Sequence, residues 1–324
     1  MCGIVGGVSN KNITPLLLEG LNLLEYRGYD SSGLIVLTKN NTFDRARSVG
    51  KVKNLEDSLK KRKHQIIGNI GIAHTRWATH GEPSNHNAHP HISKNSVSIV
   101  HNGIIENYLE LKNNQLANGY NFTSETDTEV IAHAIDFAMK TSSNIISSVQ
   151  KALTTLKGSY GLGIVSSKYP NQLIAAKKGS PLVIGIGKSG NYIASDQMAL
   201  LSVTKRFIFL EDGDVADINI DKITIYNRDG QVTNRPIKTS TLKKGQVSKG
   251  LYGHFMQKEI FEQPQAIRDT LESRITNDSV LISAFGSNAK KIFSNVKQIQ
   301  IIACGTSFNA GIVAKYWLED IAKI

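Results

Sequence analysis

The chain is predicted to be an α+β protein built mainly on antiparallel sheets, followed by a shorter α/β segment. Three observations carry this. From 160 to 227, short Val- and Ile-rich runs alternate with turns such as Lys188-Ser189-Gly190-Asn191 and Arg228-Asp229-Gly230, and no helical period interleaves them. Helical patterns cluster instead at 105–118, 126–140 and 144–157. A basic, polar stretch at 233–250, poor in apolar residues, then separates these elements from a single strand–turn–helix at the end.

The elements follow in order. Residues 2–8 (CGIVGGV) read as a strand with glycines. Thr14 and Pro15 make a helix start, as N-cap and first-turn residue, and Leu16, Leu17, Leu21 and Leu24 fall on one helical face. Gly28 sits where that helix would stop. GLIVLT (33–38) and TFDRARSV (42–49) form a hairpin around Asn40-Asn41, and a charged helix covers 54–63. The ends of 68–103, IGIAHTRW and SVSIVHN, are strand-like, with a polar loop rich in His, Pro, Gly and Asn between them. Gly119 and Gly158 are helix stops. Beyond the linker come a helix at 256–274, a strand QIQIIA (298–303), the turn CGTS and a helix from about 307. One strand and one helix cannot bury both faces of a parallel sheet, so this last part reads as a fragment of a domain. The boundaries are 2–240 for the first domain, 241–250 for the linker and 251–324 for the fragment.

The 324 residues suffice for one large or two ordinary domains. Two cysteines, Cys2 and Cys304, cannot build a disulfide framework and favour a reducing compartment. No apolar run approaches the roughly 20 residues that span a bilayer, and no basic segment precedes an apolar stretch at the start. These features predict a cytoplasmic protein without a membrane partner. The net charge is +11, but it is diffuse, with short clusters such as Lys60, Lys61, Arg62 and Lys63, and no nucleic-acid motif accompanies it.

Several segments carry residues suited to chemistry. Cys2 either opens a strand as a small apolar residue or acts as a nucleophile. If Met1 is removed, its own α-amine, with an ordinary pKa of about 7.7–8.0, becomes a local base. HTRWATHG (74–81) places Arg76, Trp77, Thr79 and His80 in a loop after a strand, where an arginine suits a bidentate grip on a carboxylate. HNGII (101–105) sets an Asn side chain beside a glycine N–H, a pair that can stabilise an oxyanion. SETDTE (124–129) either caps a helix through Ser124 or Thr126 or offers Asp127 to an ammonium group. His74, His80, His86, His89, His91 and His101 are close in sequence but match no standard ligand spacing, so no metal or other cofactor is expected. GIGKSG (185–190) has Leu182 where a phosphate loop needs glycine and reads as a hairpin turn. CGTS (304–307) either caps its helix through Ser307 or receives a phosphate on the helix N-terminus.

In order, CGIVG (2–6), LEYRGYDSSG (24–33), HTRWATHGEPS (74–84), NAHPH (87–91), HNGIIENY (101–108), SETDTEVIAH (124–133), GSPLVIG (179–185), ASDQMAL (194–200), HFMQKEIFEQP (254–264) and ACGTS (303–307) resemble the motifs of the glucosamine-6-phosphate synthase family. The resemblance covers essentially the whole chain. It implies a four-layer αββα N-terminal nucleophile hydrolase sandwich, and after it the start of a sugar isomerase (SIS) domain. It further implies a glutamine amidotransferase that releases ammonia from L-glutamine through a Cys2 thioester. The full-length protein would deliver that ammonia to fructose 6-phosphate, giving glucosamine 6-phosphate for hexosamine and cell-wall precursors, as a homodimer. By the same resemblance Asn102 and Gly103 stabilise the oxyanion, and Arg76 grips the α-carboxylate beside Thr79 and His80. Asp127 holds the α-ammonium, Arg27 organises the loop at the N-terminus, and Trp77 gates ammonia. Thr306 and Ser307 match part of the sugar-phosphate site. The other phosphate ligands, the isomerase acid–base groups and the Schiff-base lysine of the family have no counterpart in 1–324, so this chain alone is expected to be a glutaminase. The competing readings are a stand-alone glutaminase and a non-catalytic sugar-phosphate sensor.

Overall fold

Strand β1 (Gly3–Ser9) is buried along its whole length because it has no solvent face. It lies inside an eight-stranded sheet, paired on one side with β4 (Ile70–Arg76) and on the other with β10 (Gly190–Ala194). In this computed structural model the described residues are 2–78, 80–242, 251–271, 274–276, 279–282 and 288–324. The chain divides into two compact units, Met1–Ser248 and Lys249–Ile324.

In the first unit, α1 (Thr14–Leu24), β2 (Ser31–Leu37), β3 (Phe43–Val49) and α2 (Val52–Lys60) follow β1. After β4 come β5 (His91–Ser93) and β6 (Val97–Ile105), then the helices α3 (Tyr108–Ala117), α4 (Glu129–Ala138) and α5 (Ile145–Leu153). Next are β7 (Gly158–Ser166), β8 (Tyr169–Lys178), β9 (Val183–Ile186) and β10. The last strands are β11 (Arg206–Phe209), β12 (Val215–Ile218), β13 (Ile223–Tyr226), β14 (Val232–Thr233) and β15 (Ile237–Thr239). The first sheet has the order β15-β11-β9-β10-β1-β4-β2-β3 and the second β14-β13-β12-β8-β7-β6-β5, with antiparallel pairing between neighbouring strands.

Alternation along the strands sorts their side chains into three apolar layers. Val5, Leu34, Val36 and Ala73 face Leu17, Leu21 and Leu24 of α1 and Leu55 of α2. Ile4, Ile35 and Ile72 of the first sheet meet Val100, Val165, Leu173 and Ile218 of the second. Ile99, Leu162, Ile164 and Ile174 face Val130, Ile131 and Ile135 of α4 and Val149 of α5. The result is helices, sheet, sheet, helices. Glycines cut notches for the large residues opposite: a Cβ on Gly6 would lie 2.9 Å from Ile193, and one on Gly163 also 2.9 Å from Ile193.

Several expected boundaries shift for visible reasons. The helix expected from 105 begins at Tyr108, because β6 runs through Ile105, which pairs with Gly158 of β7. Thr14 is not the N-cap; Ile13 holds that place, and the Thr14 hydroxyl donates instead to Ile66 O at 2.9 Å. The helix expected at 126–140 starts at Glu129 without a side-chain cap from Ser124 or Thr126. The Glu129 carboxylate reaches back and accepts the backbone N–H groups of Thr123 at 3.0 Å and Ser124 at 2.7 Å.

The second unit contains α6 (Phe255–Leu271), α7 (Ala289–Phe293) and α8 (Gly305–Trp317), with a π-helical continuation over Leu318–Ala322. The strand expected at 298–303 does not form: these residues pair with no ladder. A parallel strand exists only through its neighbours, and the described residues supply none. Ile299, Ile301 and Ile302 stay exposed, Ile302 to 87%.

Candidate active site

The end of β4, the start of β1 and the middle of β6 converge at one edge of the layer between the sheets. The alternation that puts Ile72 and Val100 in this layer carries His74 and Asn102 into it as well. Cys2, half-buried, precedes β1, and its Sγ accepts the Trp77 backbone N–H at 3.2 Å. Burial pushes the Cys2 thiol up, while that Trp77 hydrogen bond works against the shift. The net effect favours the protonated thiol, so a nucleophilic role requires a nearby proton acceptor.

Asn102 lies directly on the cysteine. Its Nδ2 donates to Cys2 O at 3.0 Å, and its Oδ1 faces His74 Nε2 at 2.9 Å. Only one of the two Nδ2 hydrogens is used by Cys2 O. Gly103 follows with φ +136°, and a Cβ there would sit 2.1 Å from Ser159 O, so the position requires glycine.

Arg76 ends β4 and is buried. Its guanidinium holds its own loop: Nη1 donates to Glu82 O at 3.2 Å, and Nη2 donates to Gly81 O at 2.9 Å and to His80 O. Asp30 braces the same loop, accepting the Ala78 N–H at 2.7 Å and donating its own N–H to Arg76 O at 3.0 Å. Trp77 is 46% exposed and meets Tyr29 edge-on, with ring centroids 5.8 Å apart. His80 meets Tyr108 edge-on at 5.2 Å. Thr79 lies outside the described residues.

Asp127 is buried and accepts the Ile105 N–H on Oδ2 at 2.8 Å, which ties it to the strand that carries Asn102. Arg27 pairs with Asp196 at 2.6 Å, beside Ser195, whose hydroxyl accepts the Ile4 N–H at 3.0 Å. Thr306 and Ser307 belong to the other unit and are exposed in the first turn of α8, where Cys304 occupies the N-cap position without a side-chain bond. GIGKSG forms the turn between β9 and β10. Three histidines of the 86–101 region face hydroxyl groups: His89 and His101 both lie 2.9 Å from Thr128 Oγ1, and His91 lies 3.1 Å from Thr126 Oγ1. Among the described residues no group of His, Cys, Asp and Glu is arranged to hold a metal ion.

The structure thus brings Cys2, Trp77 and Asn102 into contact and joins Arg76 to His80 through one loop. His74, Asp30 and Thr128 were not singled out from sequence for the positions they hold. For His74 a signal existed: it shares the parity of Ile70 and Ile72 in IGIAHTRW.

Residues 74–202 match the family model described as a glutamine amidotransferase domain. Over its full length it is 50% identical to the glutamine–fructose-6-phosphate aminotransferase (isomerizing) of Haemophilus influenzae. It is 51% identical to the enzyme of that name from Buchnera aphidicola subsp. Baizongia pistaciae, again across 100% of the chain. The chain spans 53% of each relative, about half the length of the curated relatives it matches. Among solved structures, the glutamine phosphoribosylpyrophosphate amidotransferase from B. subtilis aligns with a TM-score of 0.60 at 23% identity, over 71% of this chain and 50% of that one. A structure titled as the allosteric regulatory enzyme of purine biosynthesis aligns with a TM-score of 0.60 at 25% identity, over 70% of this chain and 49% of that one. These two likenesses establish the fold over about 70% of the chain. Among the described residues no helix is long and apolar enough to cross a membrane.

Proposed function

We propose that this chain hydrolyses L-glutamine through Cys2 and that, within a longer protein, the ammonia passes to fructose 6-phosphate to give glucosamine 6-phosphate. The observation that carries the hydrolysis is the contact of Cys2 with both the Trp77 N–H and the Asn102 amide. The sugar half rests on the full-length likeness to aminotransferases of that name.

Removal of Met1 gives Cys2 a free α-amine, whose ordinary pKa of about 7.7–8.0 suits a base at neutral pH. The amine takes the thiol proton that burial retains, and Sγ attacks the glutamine side-chain carbonyl carbon. A C–S bond forms and negative charge gathers on oxygen, where the second Nδ2 hydrogen of Asn102 and the Gly103 N–H receive it. The amine returns its proton to the leaving nitrogen, the C–N bond breaks and ammonia departs. Water then attacks the thioester and releases glutamate. Arg76 takes the substrate α-carboxylate by exchanging the carbonyls of residues 80–82 for it, so the loop carrying Trp77 and His80 moves with binding. The Asp127 oxygen not held by Ile105 takes the α-ammonium, and Arg27 anchors the N-terminal segment.

In this reading residues 2–240 are the glutaminase domain, 241–250 the linker and 251–324 the beginning of the isomerase domain, with Thr306 and Ser307 as part of its phosphate site. The longer protein is read as a cytoplasmic homodimer. The test is glutamate release by the chain lacking Met1, compared with Cys2→Ala and with the chain retaining Met1. Activity confined to the processed wild type supports the reading; equal rates in all three overturn it.

A further inference from the structure

We propose that His74 is a positioning residue for the Asn102 amide, fixing its N–H groups toward Cys2 and the substrate oxygen; this rests on the glutaminase reading above. The hydrogen-bond pattern determines the orientation from the carbonyls inward. Cys2 O is an acceptor, so the amide atom 3.0 Å from it is Nδ2 and the atom facing His74 is Oδ1. His74 Nε2 lies 2.9 Å from that Oδ1 and 3.0 Å from His101 O, both acceptors. The ring therefore carries a hydrogen on Nε2 and shares it between them. His74 is only 1% exposed, and its Nδ1 is buried without a partner. Burial pulls its pKa down to about 3, so at neutral pH the ring holds a single proton, at Nε2.

The surrounding rings are fixed by the same reasoning. His101 Nε2 faces Ser159 O at 3.3 Å and so donates, which leaves His101 Nδ1 as an acceptor. The Thr128 hydroxyl, 2.9 Å away, donates to it. His89 Nε2, 2.9 Å from the same oxygen, must then donate to Thr128. The His89 ring packs on His74, with centroids 4.1 Å apart at 36°. Every hydrogen of the His74, His101, Thr128 and His89 cluster is thus committed to an acceptor. The cluster is a frame, not a relay. Without the His74 donor the Asn102 amide can rotate and present its oxygen to the developing oxyanion, where it would repel.

The test uses steady-state glutamate release by the chain lacking Met1. A Gln side chain places an N–H near the position of Nε2, whereas Leu supplies none and the shorter Asn does not reach. His74→Leu and His74→Asn are expected to lower kcat by about 10²–10³-fold, the usual effect of losing one oxyanion donor. KM for glutamine is expected to stay within about threefold, and His74→Gln to recover at least about a tenth of the wild-type kcat. In an Asn102→Ala background the same changes at His74 should have no further effect on kcat, since the residue acts through that amide. Cys2 alkylation by iodoacetamide at the wild-type rate confirms that each variant retains its nucleophile environment. If His74→Leu does not fold, His74→Asn and His74→Gln carry the comparison. Wild-type-like kcat in His74→Asn, a raised KM with unchanged kcat, or an undiminished further loss in the Asn102→Ala background overturns the inference. No glutamate release by the wild-type chain overturns the glutaminase reading itself, and this inference with it.

Discussion

The two units of this chain use similar residues to opposite effect. Ile72 in the first unit is fully buried between two sheets, while Ile302 in the second, inside an equally apolar run, is 87% exposed. The first unit buries three apolar layers, whereas the only buried hydrophobic residue of the second among those described is Ala289. Local sequence quality does not account for this, since QIQIIA is as strand-like as IGIAHTRW. What differs is the number of neighbours. A strand is stabilised by the ladders on its edges and the layers on its faces; among the described residues 298–303 has no ladder, and its contact with α8, where Ile301 lies against Gly311, still leaves Ile301 47% exposed.

The largest effect expected from this contrast concerns the two cysteines. Cys2→Ser should lower glutamate release by at least about 10³-fold, as loss of a covalent nucleophile does. Cys304→Ala should leave it unchanged; a loss there would show that the second unit contributes to the reaction. Next comes stability. Ile72→Ala should destabilise the first unit by about 2–5 kcal/mol, whereas Ile302→Ala should fall within about 0.5 kcal/mol. Urea midpoints for the two variants measure this, and equal shifts would erase the distinction between the units.

Acid should also separate them. His74, His89, His91 and His101 are buried in the first unit, and burial lowers all four pKa values, that of His74 to about 3. Below about pH 6.5 the unfolded chain binds protons that the folded one does not. Stability of the first unit therefore falls as pH drops from about 6.5 toward 3, by up to about 1.4 kcal/mol per pH unit for each such histidine. The second unit has only the exposed His254 and should not follow this slope. Thermal melts between pH 7 and pH 4, read separately for each unit, are the measurement. The smallest effect is at the α5 N-terminus, where the Asn144 side chain accepts the Ser147 N–H and Ser147 returns a bond in a capping box. Asn144→Ala should remove about 1 kcal/mol, detectable as a small shift in the first unit alone.

Much of the first unit was legible in the sequence because its strands and turns are locally encoded. Asn41 and Gly230 take the positive φ their turns require, and GIGKSG is a hairpin as its composition suggested. Less legible was anything set by a partner distant in sequence. β5 has three residues and exists through β6, and the start of α3 yields to a ladder with β7. At the site, Cys2, Asn102 and Trp77 stood out as residue types. That Arg76 holds three carbonyls of its own loop was invisible, because backbone acceptors have no sequence signature. His74 was hidden for another reason: a histidine among several reads as a metal ligand or a core residue, and only strand parity tells that it faces Asn102.

The glycine notches bear on how the sheets find their alignment. A strand with one wet face is kept in register because slipping by one residue would drive polar side chains inward. β1 has no wet face, so a slip would only exchange one apolar layer for another, and hydrophobicity is nearly blind to it. Shape must then do the discriminating. Ile193 fits over Gly6 and Gly163 because neither carries a Cβ, and a strand shifted to put Val5 in the place of Gly6 would set a side chain against it at under 3 Å. The alignment that brings Cys2 beside Trp77 is thus written as a pattern of missing atoms, and filling one notch should scramble the pairing before it weakens the core.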